Sequence, residues 1–216
     1  MPSPEAPDHG AALLSPGRHV AVRRMALGAA AVLAAALVAV AIAGISGRSA
    51  GGSSGPSFPA IRPSAAPAGW LSATLPDGAV LSYPPSMHSS PADPGAASAV
   101  RLDHAGAYLL YLNATPRQGD ERTANWPAFR LSHLLDDDAR SVRELAATAG
   151  IRFLGGTGSC VLDSYVTKVG AHHYTELACL VQGSRASSVV VAAAPAANWP
   201  QAASLLERAI AAYRVL

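Results

Sequence analysis

Three sets of residues in this chain have the types and spacing that chemistry needs. His133 stands three and four residues before Asp136 and Asp137, so on a helix they share one face, an arrangement able to seat a divalent metal. A hydrolytic metal also needs a third protein ligand, and no third or fourth is identifiable from spacing. Cys160 and Cys179 are the only cysteines, and they serve either as a nucleophile or as a disulfide. The tetrapeptide Ala-Asn-Trp-Pro occurs at 124–127 and again at 197–200, which would present tryptophan twice if it were a recognition motif.

Other motifs fail on chemistry. The glycine-rich run Gly-Gly-Thr-Gly-Ser-Cys at 155–160 lacks the Gly-Lys-Ser/Thr ending and the following helix of a phosphate loop, and reads as a bulge or a loose strand entry. His172 and His173 are adjacent in a strand pattern and point to opposite faces, so they cannot chelate one metal together. Asp136, Asp137 and Asp138 lack the alternation and glycine of a calcium loop, and no Gly-x-Ser-x-Gly elbow marks a nucleophilic serine. Asn113 opens a glycosylation sequon, Asn-Ala-Thr, that Pro116 follows closely, and it is discounted. No catalytic residue, metal ligand set or cofactor motif is assigned.

The elements that would position these residues are short apolar runs between turn signals. Trp70 to Leu75, Pro-Asp-Gly and Ala79 to Pro84 read as strand, turn and strand, and residues 97–113 read as a second hairpin around His104-Ala105-Gly106. From Trp126 apolar residues recur at 131, 134, 135, 142, 145 and 146, a helical stripe ending at Gly150 as a C-cap. The three aspartates interrupt it, so one long helix and two helices with the second capped by Asp137 or Asp138 both remain open. Three more strands and a helix from Trp199 complete the order ββββαβββα. Proline restricts the residue before it, so each Asn-Trp-Pro reads as a helix start: Trp at or before the N-cap, Pro127 or Pro200 in the first helical position, and Asn125 or Asn198 bonding the free amides.

The cysteines fall into this frame. A turn at Val169 and Gly170 lays Cys160 directly opposite Cys179 on neighbouring strands, where Cβ atoms lie about 4.5–5.5 Å apart and a modest adjustment closes a disulfide. In the chain-entropy account such a link stabilises the fold by roughly 3 kcal/mol.

Charge and hydropathy set the context. Residues 1–69 hold five arginines against two acids, whereas residues 70–216 hold eleven basic residues against twelve acids, so the globular part offers no footprint for nucleic acid. Residues 25–45 are uncharged and apolar, and at 1.5 Å per residue they span roughly 31 Å, the thickness of a bilayer core. The run exceeds a signal-peptide core and reads as an uncleaved anchor in the lipid bilayer. Arg18, Arg23 and Arg24 precede it and only Arg48 follows closely, which keeps the N-terminus cytoplasmic and sends the rest outward, into surroundings where a disulfide persists. The expected organisation is a disordered tail at 1–24, a transmembrane helix at 25–45, a Gly/Ser/Pro tether at 46–69 and one extracytoplasmic domain at 70–216.

The stretch Leu-Pro-Asp-Gly-Ala-Val-Leu-Ser-Tyr-Pro-Pro-Ser-Met-His at 75–88 resembles the opening of PsbP-like domains, which enter through a hairpin ending in Tyr-Pro; Met87 stands where members often carry tryptophan. Residues 111–121, 125–133 and 158–181 are similar to a family of membrane-anchored actinomycete proteins. The resemblance spans residues 70–216 and implies an α+β fold: an antiparallel sheet of about six or seven strands with helices packed on it, in an α/β/α sandwich. It also implies a non-catalytic binding or assembly role in the cell envelope, with an envelope protein or ligand as partner. The expected contact residues are Trp126, Arg130 and His133 near the first helix start. A metal-dependent hydrolase built on His133, or a carrier of a small ligand or lipid, stands as the alternative.

Overall fold

Hairpins build most of the chain in the computed structural model, which describes residues 58–216. β1 (Leu71–Thr74) and β2 (Val80–Tyr83) pair across Pro76-Asp77-Gly78, where Gly78 adopts a φ of +85° that a side chain resists. A short β3 (His88–Ser90) then precedes β4 (Ala97–Leu102) and β5 (Tyr108–Pro116), whose turn is tied by Asp103 Oδ1 accepting from the Ala105 and Ala107 amides, both at 2.8 Å. Helix α1 (Trp126–Asp137) follows, then β6 (Ala139–Phe153), β7 (Gly156–Thr167), β8 (His173–Gly183), β9 (Ser187–Pro195) and α2 (Trp199–Ala211). β3 to β9 form one antiparallel seven-stranded sheet in the order β3-β4-β5-β9-β8-β7-β6.

The fold is therefore α+β, with one helix on each face of the sheet. α1 lies over β6, β7 and β8; α2 and the β1–β2 hairpin cover the other face. Alternation assigns the strands' side chains. Cys160, Leu162, Leu177, Val190, Ala192 and Leu112 point towards α2 and form the main core with Leu206, Ile210 and Tyr213. Val161, Asp163, Tyr165, Glu176 and Ala178 belong to the face that α1 covers. Met87, where PsbP-like members often carry tryptophan, fills the α2-side core at 2% exposure. The register pairs Cys160 with Cys179 and joins them in a disulfide, Cα to Cα 4.1 Å, within the apolar core.

Residues 139–150 are the main correction to the reading from sequence. They form the edge strand β6, not the end of a long helix or a second helix, and Gly150 sits at a bulge with φ +73° rather than at a C-cap. β6 bulges three times against β7, at Ala139/Ser141, Glu144/Ala146 and Ala149/Ile151. Each bulge inserts a residue, so apolar positions that would recur every second residue recur every third, mimicking a helix. The order is accordingly βββββαββββα, with β3 and β6 added. Charged Arg140, Arg143, Glu144 and Arg152 along the bulged edge discourage pairing with another chain.

The helix starts also differ from expectation in detail. Asn125 and Asn198 are themselves the N-caps, Trp126 and Trp199 open the helices, and neither Asn side chain bonds a helix amide. Asn125 Oδ1 instead accepts from the Arg122 amide at 2.9 Å, tightening the turn that leads in. Of the two histidines read as strand neighbours, only His173 lies in β8; His172 belongs to the preceding turn, its amide donating to Thr167 Oγ1 at 2.9 Å.

The glycine run does structural work. Gly155 has a φ of +86°, and a Cβ there would meet the Val215 carbonyl oxygen at 2.1 Å. The C-terminal residues run past it, pairing Arg214 with Val80 and donating from Val215 N–H to the Leu154 carbonyl at 3.0 Å, which ties the hairpin to the β6–β7 turn. At the other end Phe58 and Ile61, in the segment assigned to the tether, pack against the main core, and Ser64 N–H donates to the Ala211 carbonyl at 3.0 Å. The expected tail and transmembrane helix, and the tether up to residue 57, lie outside the described residues. Among the described residues no helix is long and apolar enough to cross a membrane.

Candidate functional site

α1 places its residues by periodicity. Trp126, Arg130, His133 and Asp137 follow one another at three or four residues and share a face, so the three expected contact residues come together. Trp126 is 2% exposed and its indole N–H donates to the Ala178 carbonyl at 3.0 Å, pinning the helix start to β8. It therefore presents no open ring face, but it anchors a ladder: Trp126 stacks on Phe129, and Phe129 on His133, each at 6.2 Å between ring centres. The helix's other end is held by Lys168, the only lysine, whose Nζ donates to the Asp136 carbonyl at 2.7 Å.

Arg130 reaches under the helix to Glu176 on β8, Nε to Oε1 at 2.7 Å and Nη2 to Oε2 at 2.8 Å, a two-pronged ion pair. Burial works against the guanidinium charge, but the Glu176 charge and hydrogen bonds outweigh it and hold Arg130 above its ordinary pKa. Directly opposite Glu176 on β7 lies Asp163, which is 0% exposed and whose two oxygens accept no hydrogen bond. Burial first, then the Glu176 charge, push the Asp163 carboxyl well above the usual range, with Arg130 pulling the other way. Asp163 is thus a sealed carboxyl, its pKa raised, beside a salt bridge. Both acids were missed in the sequence, although the register that opposes the cysteines also opposes Asp163 and Glu176.

Between α1 and the strands β5 and β9 a groove of about 250 Å³ opens. Trp126, Phe129, Arg130 and His133 form one wall, Asn113, Val189 and Val191 the floor, and Gln118 and Glu121 of the β5–α1 loop the end. Asn113, the discounted sequon residue, is buried and donates Nδ2–H to Ser98 Oγ at 2.7 Å. Glu121 is only 8% exposed; its Oε2 accepts from the Gly119 amide at 2.7 Å. Asp138 closes the other end, its carboxyl raised by burial and then by Asp137, with Arg130 and His133 opposing. His133 Nδ1 meets Asp137 Oδ2 at 3.2 Å, and among the described residues no third metal-ligating side chain joins them. Cys160, locked in its disulfide on the other face, offers no nucleophile.

No protein-family model matches the sequence, and no curated protein matches it either. Solved structures of similar outline include the cyanobacterial PsbP protein CyanoP of Synechocystis sp. PCC 6803, 15% identical with a TM-score of 0.48, covering 69% of this chain and 94% of that one. They also include PA94 of Pseudomonas aeruginosa, a protein of unknown function, 12% identical with a TM-score of 0.39 over 66% of this chain and 94% of that one. LpqN of Mycobacterium tuberculosis, described as involved in cell envelope biogenesis, is 18% identical with a TM-score of 0.30 over 66% of this chain and 77% of that one.

Proposed function

We propose that this chain is a single-pass, membrane-anchored, non-enzymatic binding module that holds an envelope component at the groove beside α1, outside the cytoplasmic membrane. The observation that carries the reading is the groove itself, which combines an aromatic wall, an apolar floor and polar groups at both ends. Its volume of about 250 Å³ suits a side chain or a headgroup rather than a whole lipid. The placement outside the membrane is supported by the arginines ahead of the apolar run and by the buried disulfide.

The test is site-specific photo-crosslinking of the full chain in its native membrane. A crosslinker at Gln118, exposed at the groove mouth, gives a discrete product that the same group at Ser204, exposed on α2, does not. Equal products from both positions, or none from Gln118, would remove the groove from consideration.

A further inference from the structure

The groove's charges do not balance. Arg130 is matched by Glu176 behind it, Asp163 lies sealed beneath, His133 faces Asp137, and Asp138 at the far end is part-buried without an ion pair. These two ion pairs are the only ones among the described residues, so no cation lies within ion-pair distance of the Glu121 carboxylate. One of its oxygens, Oε2, accepts from the Gly119 amide, and no protein donor reaches the other, Oε1. A nearly buried carboxylate with one free oxygen, at the end of an apolar slot, lacks a cationic partner. The slot beside it is lined by Trp126, Phe129, Val189 and Val191, whose apolar surface suits methylene groups.

We propose that the groove takes an alkylammonium group, the end of a lysine side chain or of a free aliphatic amine, with Glu121 as its ion-pair partner and the Phe129 wall along its stem; this rests on the groove being the binding surface described above. An anion is disfavoured because the one arginine in the lining is already engaged on two of its nitrogens by Glu176.

The full chain, reconstituted in nanodiscs of zwitterionic lipid, is titrated calorimetrically with 1,5-diaminopentane and with a blocked lysine tripeptide. Saturable one-to-one binding is expected for at least one of them, and the tighter of the two identifies the source of the ammonium. Glu121→Gln, which keeps an oxygen for the Gly119 amide, weakens binding by about tenfold or more, as loss of a charge-assisted contact does. Gln118→Arg, which sets a competing cation at the groove mouth without touching the core, weakens it too and answers the question if Glu121→Gln fails to fold. Unchanged affinity in a folded Glu121→Gln or in Gln118→Arg, equal binding of 1,5-pentanediol or glutarate, or no saturable binding of either amine would overturn the assignment. Crosslinking from Gln118 that persists while both amines fail would sink the ligand class and leave the groove standing.

Discussion

The two faces of the seven-stranded sheet are built on different principles. The α2 face is sealed: α2, the β1–β2 hairpin and the C-terminal residues press on Leu112, Cys160, Leu162, Leu177 and Val190, and the disulfide lies within that core. The α1 face holds an ion pair and a sealed, unpartnered acid beneath the helix, with a groove beside it. The difference teaches where stability and function are separated. The apolar face supplies the free energy of folding by removing hydrocarbon from water. The other face keeps charges and a groove, at a cost in stability that the sealed face offsets.

The comparison can be broken at several points. The largest effect belongs to the sealed face: Leu206→Ala, at a side chain with 0% exposure in the main core, should cost about 4–5 kcal/mol by chemical denaturation. A cost near 1 kcal/mol would mean that this face is not tightly packed. On the α1 face, Arg130→Met strands Glu176 without its partner and should cost about 3–5 kcal/mol. Adding Glu176→Leu should recover most of that loss, because a hydrophobic pair replaces the ion pair; failure to recover would show that the charges specify the packing. Replacing both cysteines with alanine should lower stability by about 3 kcal/mol, and the wild-type thiols should resist alkylation until reduced.

The smallest effect sharpens the contrast through pH. The Asp163 pKa is raised in the folded state above its unfolded value, so the folded chain holds that proton more tightly. Its contribution is complete below the ordinary carboxylate pKa and fades as pH rises through the raised folded value. Asp163→Asn, which mimics the protonated acid, should flatten the decline of stability with rising pH and leave the acid-side stability unchanged. A stability profile unaltered by this substitution would mean that Asp163 finds a partner when it ionises.

Much of the sealed face was legible because its signals are local. The hairpin around Asp77-Gly78, the turn at Val169 and Gly170, and the alternation along β7 and β8 fix which side each residue takes, and the cysteine pairing follows from counting. β6 was not legible, because three bulges destroyed the period of two by which a strand is recognised. The site was legible only in part. Helical spacing already grouped Trp126, Arg130 and His133, and the β7–β8 register already opposed Asp163 to Glu176.

The sequence alone determined the β1–β2, β4–β5 and β7–β8 hairpins, the two Asn-Trp-Pro helix starts to within a residue and the facing cysteines, since these depend on turn chemistry and on side-chain periods that act between near neighbours. Only the tertiary structure decided that Arg130 falls on Glu176, that Asp163 loses all contact with water, and that Glu121 closes a groove without a cation. Those outcomes depend on where α1 lands on the sheet, and that landing is set by the Trp126 anchor to the Ala178 carbonyl and the Lys168 clasp at the helix end, contacts between residues far apart in the chain.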